Sequence, residues 1–208
     1  MPPLRTYIYI DGFNFYYGQV KGTPYKWLNL DALCRAYLDP GKNDIARIKY
    51  FTARVKSRPG DPDQHVRQQT YIRALSTLPN FEIIYGHFLT HEVMMPRADG
   101  CGLVKVIKTE EKKSDVNIAV HLLSDAYKNE YECAVLVSND SDISEALRIV
   151  RSELHKVVIL LNPQKRPSEE LKKYADLIKP IRQGALASCQ FPEQIGDKNG
   201  TIIKPKNW

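Results

Sequence analysis

The chain has 208 residues, 43% of them hydrophobic, and a formal net charge of +6 at pH 7. That length suits one generous domain with a core of its own, and that apolar content excludes wholesale disorder. No run approaches the roughly 18 apolar residues of a membrane span, and Met1-Pro2-Pro3-Leu4-Arg5 lacks the layout of a secretion signal, so a cytoplasmic setting without membrane contact is expected.

Taken in chain order, apolar strand-like runs alternate with helix-like stretches, the signature of βαβ units and a mostly parallel sheet. A first strand is predicted over Thr6–Asp11, with a helical region around Asn14–Val20 after it. Leu28–Leu38 carries Leu30, Leu33 and Ala36/Tyr37 at helical spacing, with Asn29 or Asp31 as cap. Ile45–Val55 is rich in β-branched and aromatic residues and reads as strand two. Pro59-Gly60-Asp61-Pro62-Asp63 breaks the pattern before a helix over Gln64–Leu78, and Phe81–Phe88 reads as strand three.

Between 89 and 108 the alternation of Val93 and Met95 with Val104 and Val106 predicts an inserted β-hairpin. Ser114–Tyr127 is the clearest helix, with Ser114 as its cap and Val116, Ala119, Val120, Leu123 and Ala126/Tyr127 on the inner face. Ala134–Ser138 is continuously apolar, as a strand buried on both faces should be. A helix over Asp142–Leu154, a strand over Val157–Leu161, a short helix over Ser168–Ala175 and a last strand over Leu177–Ile181 complete the pattern. Periodicity fades after Gly184, so a domain over 1–183 and a basic tail over 184–208 are expected.

The positive charge is uneven. Pro163–Trp208 holds nine Lys/Arg against five Asp/Glu, and Lys42–Arg73 is a second basic region. This is compatible with a polyanionic partner such as RNA. The cysteines Cys34, Cys101, Cys133 and Cys189 form no CxxC pair, which leaves a thiolate metal site without support and favours buried or neutral free thiols. His65, His87 and His91 have no ligand-like spacing either.

Acids recur where predicted strands end. Asp11 closes strand one in Asp11-Gly12-Phe13-Asn14, where an Asp/Gly turn with a capping Asn would be the plainer explanation. Ser138-Asn139-Asp140-Ser141-Asp142 packs two acids into a strand-to-helix turn, where Asp142 or Ser141 could simply cap the next helix. Asp115 opens a helix, a position the helix dipole favours for any acid. In an open parallel sheet the carboxyl ends of strands share one edge. Carboxylates that converge there suit a divalent cation, which is typically held by one or two of them together with water and phosphate oxygens.

In this order, Asp11, Gly12 and Asn14, then Glu111, Lys112, Ser114, Asp115 and Val116, then Ser138, Asp140, Ser141 and Asp142 resemble the NYN domain, a PIN-like ribonuclease family that includes LabA-type proteins. The resemblance covers roughly Tyr7 to Ile181. It departs from the family at Asn139, where Gly is usual, and at Lys113-Ser114, where Gly-Val is usual. The hairpin and the basic end lie outside the family core. The resemblance implies an α/β fold: a Rossmann-like three-layer α/β/α sandwich with a mostly parallel central sheet. It also implies Mg²⁺ or Mn²⁺ on Asp11, Asp115 and Asp140, with Asp142 as ligand or water-positioner, and hydrolysis of RNA phosphodiesters. Asn14 and Ser138 would orient the acids or the phosphate.

Arg54, Lys56, Arg58 and Arg67 follow strand two or open the next helix, and are candidates to hold the RNA backbone. Tyr16 and Tyr17 are candidates either for stacking on bases or for core packing. RNA is the implied partner, and a homodimer is compatible with it. Two other functions stay open: a non-hydrolytic RNA-binding regulatory module, and an enzyme of another class acting on a small metabolite in the same acidic cleft. For the latter, the hairpin, the aromatic-rich start and Trp27 would build a smaller pocket. No glycine-rich dinucleotide fingerprint follows Asp11-Gly12.

Overall fold

Alternating strands and helices wind around one sheet in this computed structural model, which describes residues 2–57, 60–206 and 208, with Thr109 and Glu111 as backbone only. β1 (Leu4–Asp11) runs into α1 (Gly12–Phe15) and a π-helical turn (Tyr16–Val20). α2 (Leu30–Tyr37) is capped by Asn29, whose side chain accepts from the Ala32 N–H. Then come β2 (Asn43–Thr52), α3 (Gln64–Leu75) and β3 (Phe81–Tyr85). β4 (His87–Pro96) and β5 (Leu103–Lys112) form the inserted hairpin, longer at both ends than expected. α4 (Ser114–Tyr127), β6 (Cys133–Val137), a 3₁₀ turn (Ser141–Ile143), α5 (Ser144–Ser152) and β7 (Val157–Asn162) follow. α6 (Glu169–Lys172) and β8 (Leu177–Pro180) close the sheet.

The six-stranded sheet has the order β3-β2-β1-β6-β7-β8, with every neighbouring pair parallel. The expected α/β sandwich is therefore present. Strand order reverses between β1 and β6, and that reversal is the topological switch point where open α/β sheets bind ligands. β1 is buried along its last six residues because it is flanked on both sides.

Period-two alternation splits each central strand between two cores. Ile8, Ile10, Ile48, Val135 and Val137 face α2 and α3 with Trp27, Leu30 and Leu75. Tyr7, Tyr9, Phe51, Ala134 and Leu136 face α4 and α5 with Ile118, Leu122 and Leu147.

Two expectations change. The face of α4 that meets the sheet is Ile118, Leu122, Asp125 and Ala126, while Val116, Val120 and Tyr127 are exposed. Residues after 183 are not a loose tail. They form α7 (Gln183–Ser188), β9 (Gln194–Asp197) and β10 (Gly200–Ile203), and they bury Phe191 and Ile202 in the α2/α3 core. The indole N–H of Trp27 donates to the Pro192 carbonyl at 2.7 Å, and Arg73 binds Asp197 through Nε at 2.7 Å. That guanidinium holds the Asp197 carboxyl down to about 2. All four cysteines are free thiols: Cys34, Cys133 and Cys189 are buried, and Cys101 at the hairpin tip is exposed.

The inward helix face contains Asp125 because the sheet supplies its partners. Lys49 Nζ lies 2.6 Å from Asp125 Oδ2, the Tyr9 hydroxyl donates to the same oxygen at 2.7 Å, and His121 Nδ1 sits 3.2 Å from Lys49 Nζ. Lys49 and Asp125 are both buried. Breaking such a pair strands a charge in the core. Asp125→Ala is expected to lower stability by roughly 3–5 kcal/mol, read as a shift of the denaturant midpoint at unchanged slope. An unchanged midpoint would show that the network contributes nothing.

Candidate metal centre at the switch point

Three acids arrive at the carboxyl edge of the sheet from three elements. Asp11 is the last residue of β1, Asp140 follows β6, and Asp115 lies in the first turn of α4. One carboxylate oxygen from each lies within 4.8 Å of the others. A hexacoordinate cation with oxygens at about 2.0–2.1 Å spans opposite ligands about 4.2 Å apart, so small side-chain rotations would bring the three oxygens onto it. The donors are all hard oxygen, and no histidine belongs to the group, which fits a hard divalent cation.

Local backbone chemistry explains why the acids stand still. Asp11 is the N-cap of α1: its Oδ1 accepts the Asn14 N–H at 2.9 Å. Its Oδ2 accepts the Ser138 hydroxyl at 3.0 Å, and Ser138 Oγ in turn accepts the Asp140 N–H at 3.1 Å. Asp140 is also an N-cap, its Oδ1 accepting the Asp142 N–H at 3.0 Å. The cap of the 3₁₀ turn is therefore Asp140 itself, not Asp142 or Ser141. Asp142 is exposed and outside the group of three.

Asp11 is 3% exposed. Burial pushes its carboxyl above the ordinary aspartate range, the charge of Asp140 adds to this, and the Asn14 and Ser138 hydrogen bonds oppose it.

The two departures from the family pattern resolve differently. Asn139 does not enter the left-handed region, so no glycine is required there. Its side chain instead staples a neighbouring loop, accepting the Ser168 N–H at 2.6 Å and donating to the Arg166 carbonyl at 3.1 Å, while its backbone N–H donates to Asn14 Oδ1 at 3.1 Å. Lys113, however, has φ 80° and ψ −10°, the left-handed conformation that glycine adopts freely. It is also the residue at the cap position, so Ser114 is inside the helix rather than its cap.

The remaining candidates divide. Ser138 and Asn14 join the acids, as described. Tyr16 and Tyr17 are 36% and 56% exposed, which excludes core packing for them. Arg67 is occupied by Asp61, with its side chain only 18% exposed. Arg54 lies over the Tyr85 ring, 5.0 Å from its centroid, beside Arg73 and Lys198. Lys56 is exposed, and its carbonyl accepts from Gln64 Nε2. Arg58 lies outside the described residues.

Sequence reasoning missed Gln164, Lys165 and Arg166. They line an open groove with Asn14, Tyr17 and Asp140. Gly18 lets the π-helical turn approach this loop, since a Cβ there would meet the Pro163 carbonyl at 2.5 Å. The available signal was position: these residues directly follow a buried strand at the same sheet edge as Asp11 and Asp140.

Two outcomes follow from this geometry. An ionised Asp11 destabilises the metal-free fold at pH values above its raised folded-state pKa, and the cost vanishes as pH falls through that value. Asp11→Asn is therefore expected to melt at or above the wild-type temperature at neutral pH without metal. Divalent cation at about 100 times its Kd should add about 2.7 kcal/mol to the wild type and nothing to the variant. A variant that melts lower without metal, and gains as much from it, would refute this account of the site. Lys113→Gly should raise stability by about 1 kcal/mol by removing left-handed strain, measured by urea unfolding.

The NYN domain model matches residues 5–181. The chain is 34% identical over 238 aligned positions to 6-hydroxy-3-succinoylpyridine 3-monooxygenase HspA of Pseudomonas putida, covering 99% of this chain and 76% of that protein. Among solved structures it is similar to a protein of unknown function from Vibrio parahaemolyticus, with a TM-score of 0.59 at 18% identity, covering 87% of this chain and 94% of the other. That likeness concerns the fold alone. With the family match spanning nearly all of the sheet and all three acids, the chain belongs to the NYN domain family.

Proposed function

We propose that this protein is a cytoplasmic, metal-dependent ribonuclease that hydrolyses RNA phosphodiester bonds at the Asp11–Asp115–Asp140 cluster. The observation that carries the reading is the convergence of three carboxylates at the switch point. Family membership supports it, because NYN domains are PIN-like and that group is built around such acids. No described helix is long and apolar enough to cross a membrane.

Asp11, Asp115 and Asp140 would hold Mg²⁺ or Mn²⁺, with Asp142 close enough in sequence to order a water. Bound there, the ion supplies an acidified water and offsets charge developing on the phosphodiester. The chain's own residues do the positioning. The Asn14 N–H and the Ser138 hydroxyl restrain Asp11 in one orientation, and Ser138 also holds the backbone of Asp140. Lys165 and Arg166, exposed on the groove beside Asp140, attract the phosphate chain without reading its sequence.

The test is cleavage of labelled mixed-sequence RNA with Mg²⁺, Mn²⁺ or a chelator. Cleavage should vanish with chelator and fall at least about 100-fold, or about 2.7 kcal/mol of barrier, in Asp11→Asn and Asp140→Asn. Wild-type rates in both variants would sink the reading. Salt-sensitive RNA binding without turnover in any divalent ion would leave the regulatory module in its place.

A second reading has one observation behind it. A cavity of about 400 Å³ opens beside Gly12, next to the acids, and the Pseudomonas relative is named for oxygenation of a substituted pyridine. Consumption of 6-hydroxy-3-succinoylpyridine by the purified chain, given oxygen and an external reductant, would favour that alternative.

A further inference from the structure

Aromatic rings form much of the wall of the cavity beside Gly12. Phe13, Tyr16, Tyr17, Tyr71, Phe88 and Trp208 wall it. Phe13 meets Phe88 edge to face at 5.5 Å, and Trp208 meets Tyr71 at 5.4 Å. Rings held by such contacts keep their place in the wall, and aromatic walls suit a flat, polarisable guest.

Polar groups that could pair with the ring atoms of a heterocycle line the same cavity. Tyr50 and Thr52 come from β2, Lys26 from the segment before α2, Gln64 and Arg67 from the start of α3, and Asp61, paired with Arg67, from the turn before it. At about 400 Å³ the space is at the small end of ligand sites, which run from about 300 to 1,000 Å³. One ring system with an attached sugar fits that size; a polynucleotide strand does not.

The cavity is also continuous with the acidic site through the backbone. A Cβ on Gly12 would lie 2.7 Å from the Tyr50 hydroxyl and 2.7 Å from the Phe51 carbonyl, so the residue after Asp11 is pressed against the cavity wall. Tyr17 lines both the cavity and the groove that holds Asp140, Lys165 and Arg166. The segment between them, Tyr16–Val20, is π-helical, a rare conformation that recurs at functional sites. It brings two consecutive tyrosines to the same cavity.

We infer that this cavity is a binding site for one planar heteroaromatic ring. The favoured source is a nucleobase unstacked from RNA, seated while its phosphate lies in the groove at Asp140. The placement of that phosphate rests on the ribonuclease reading, whereas the ring site itself does not. A free heteroaromatic metabolite offers the same chemistry without the phosphate.

The test is calorimetric titration of the whole chain with AMP, with ribose 5-phosphate and with 6-hydroxynicotinate, in the presence and absence of Mn²⁺. At least one ring-bearing probe should bind about tenfold or more tightly than ribose 5-phosphate. AMP as the stronger probe identifies a base, and 6-hydroxynicotinate as the stronger probe identifies a free ring. Val55→Trp, which fills the cavity from its lining, should weaken the ring-bearing probe about tenfold or more and leave the Mn²⁺ affinity unchanged. Tyr16→Ala opens a wall instead of filling the space, and should weaken the same probe if the first variant does not fold.

Ribose 5-phosphate binding as tightly as both ring-bearing probes would overturn the inference. So would unchanged ring binding in a folded Val55→Trp protein. Ring binding without RNA cleavage would leave the ring site standing and remove the ribonuclease reading. RNA cleavage with ring binding indifferent to Val55→Trp would do the reverse.

Discussion

Burying a carboxylate costs several kcal/mol unless its oxygens find donors, and in this fold that requirement fixes the site at Asp11. The acid lies at the end of the central strand, flanked by β2 and β6 and cut off from solvent. Its two oxygens are satisfied by the Asn14 N–H, from its own helix start, and by the Ser138 hydroxyl, from the strand across the switch point. The second donor exists only because β1 and β6 are neighbours. Strand order and site geometry are therefore one constraint: a different order would leave Asp11 buried without Ser138. Asp140 obeys the same logic, since capping the next turn holds it while its backbone hangs on Ser138.

Asp115 reaches the cluster by a different route. Its helix, α4, is fastened to the sheet near its far end, where Asp125 meets Lys49 and Tyr9. Those two residues lie on β2 and β1, two strands of the edge that ends at the acids. A charged anchor at one end of a rigid helix sets the height and rotation of the other end. The strained Lys113 then turns the chain out of the hairpin and into the helix just before Asp115. Backbone strain of this kind persists where surrounding structure over-determines it, and functional sites are where it collects.

Much of this was legible beforehand. The buried strands Ala134–Ser138 and Val157–Leu161 stand out because strands covered on both faces must be apolar throughout. Asp11 and Asp140 stand out because they end or follow such strands, and Asp115 because it opens the clearest helix. The rotation of α4 was not legible: Val116, Val120 and Tyr127 look like core, and Asp125 looks like surface. The partner that reverses this, Lys49, is 76 residues away in the chain. Arg67 likewise resembles a phosphate ligand until Asp61 is seen beside it. Beyond Gly184 the short strands carry too few residues for a period to emerge, and Trp27 with Arg73 supplies the docking that makes them regular.

The sequence by itself determined the α/β class, the alternation of elements and the three strand-end or helix-start acids, because hydrophobic period and local capping chemistry act over a few residues. Only the tertiary structure decided that those acids share one space, that Asn139 ties the Arg166 loop to them, and that Tyr16 and Tyr17 open onto a cavity closed by Trp208. Each of these depends on pairings between distant segments. Such pairings are selected by burial and by the satisfaction of buried polar groups across the whole sheet, and no local pattern encodes them.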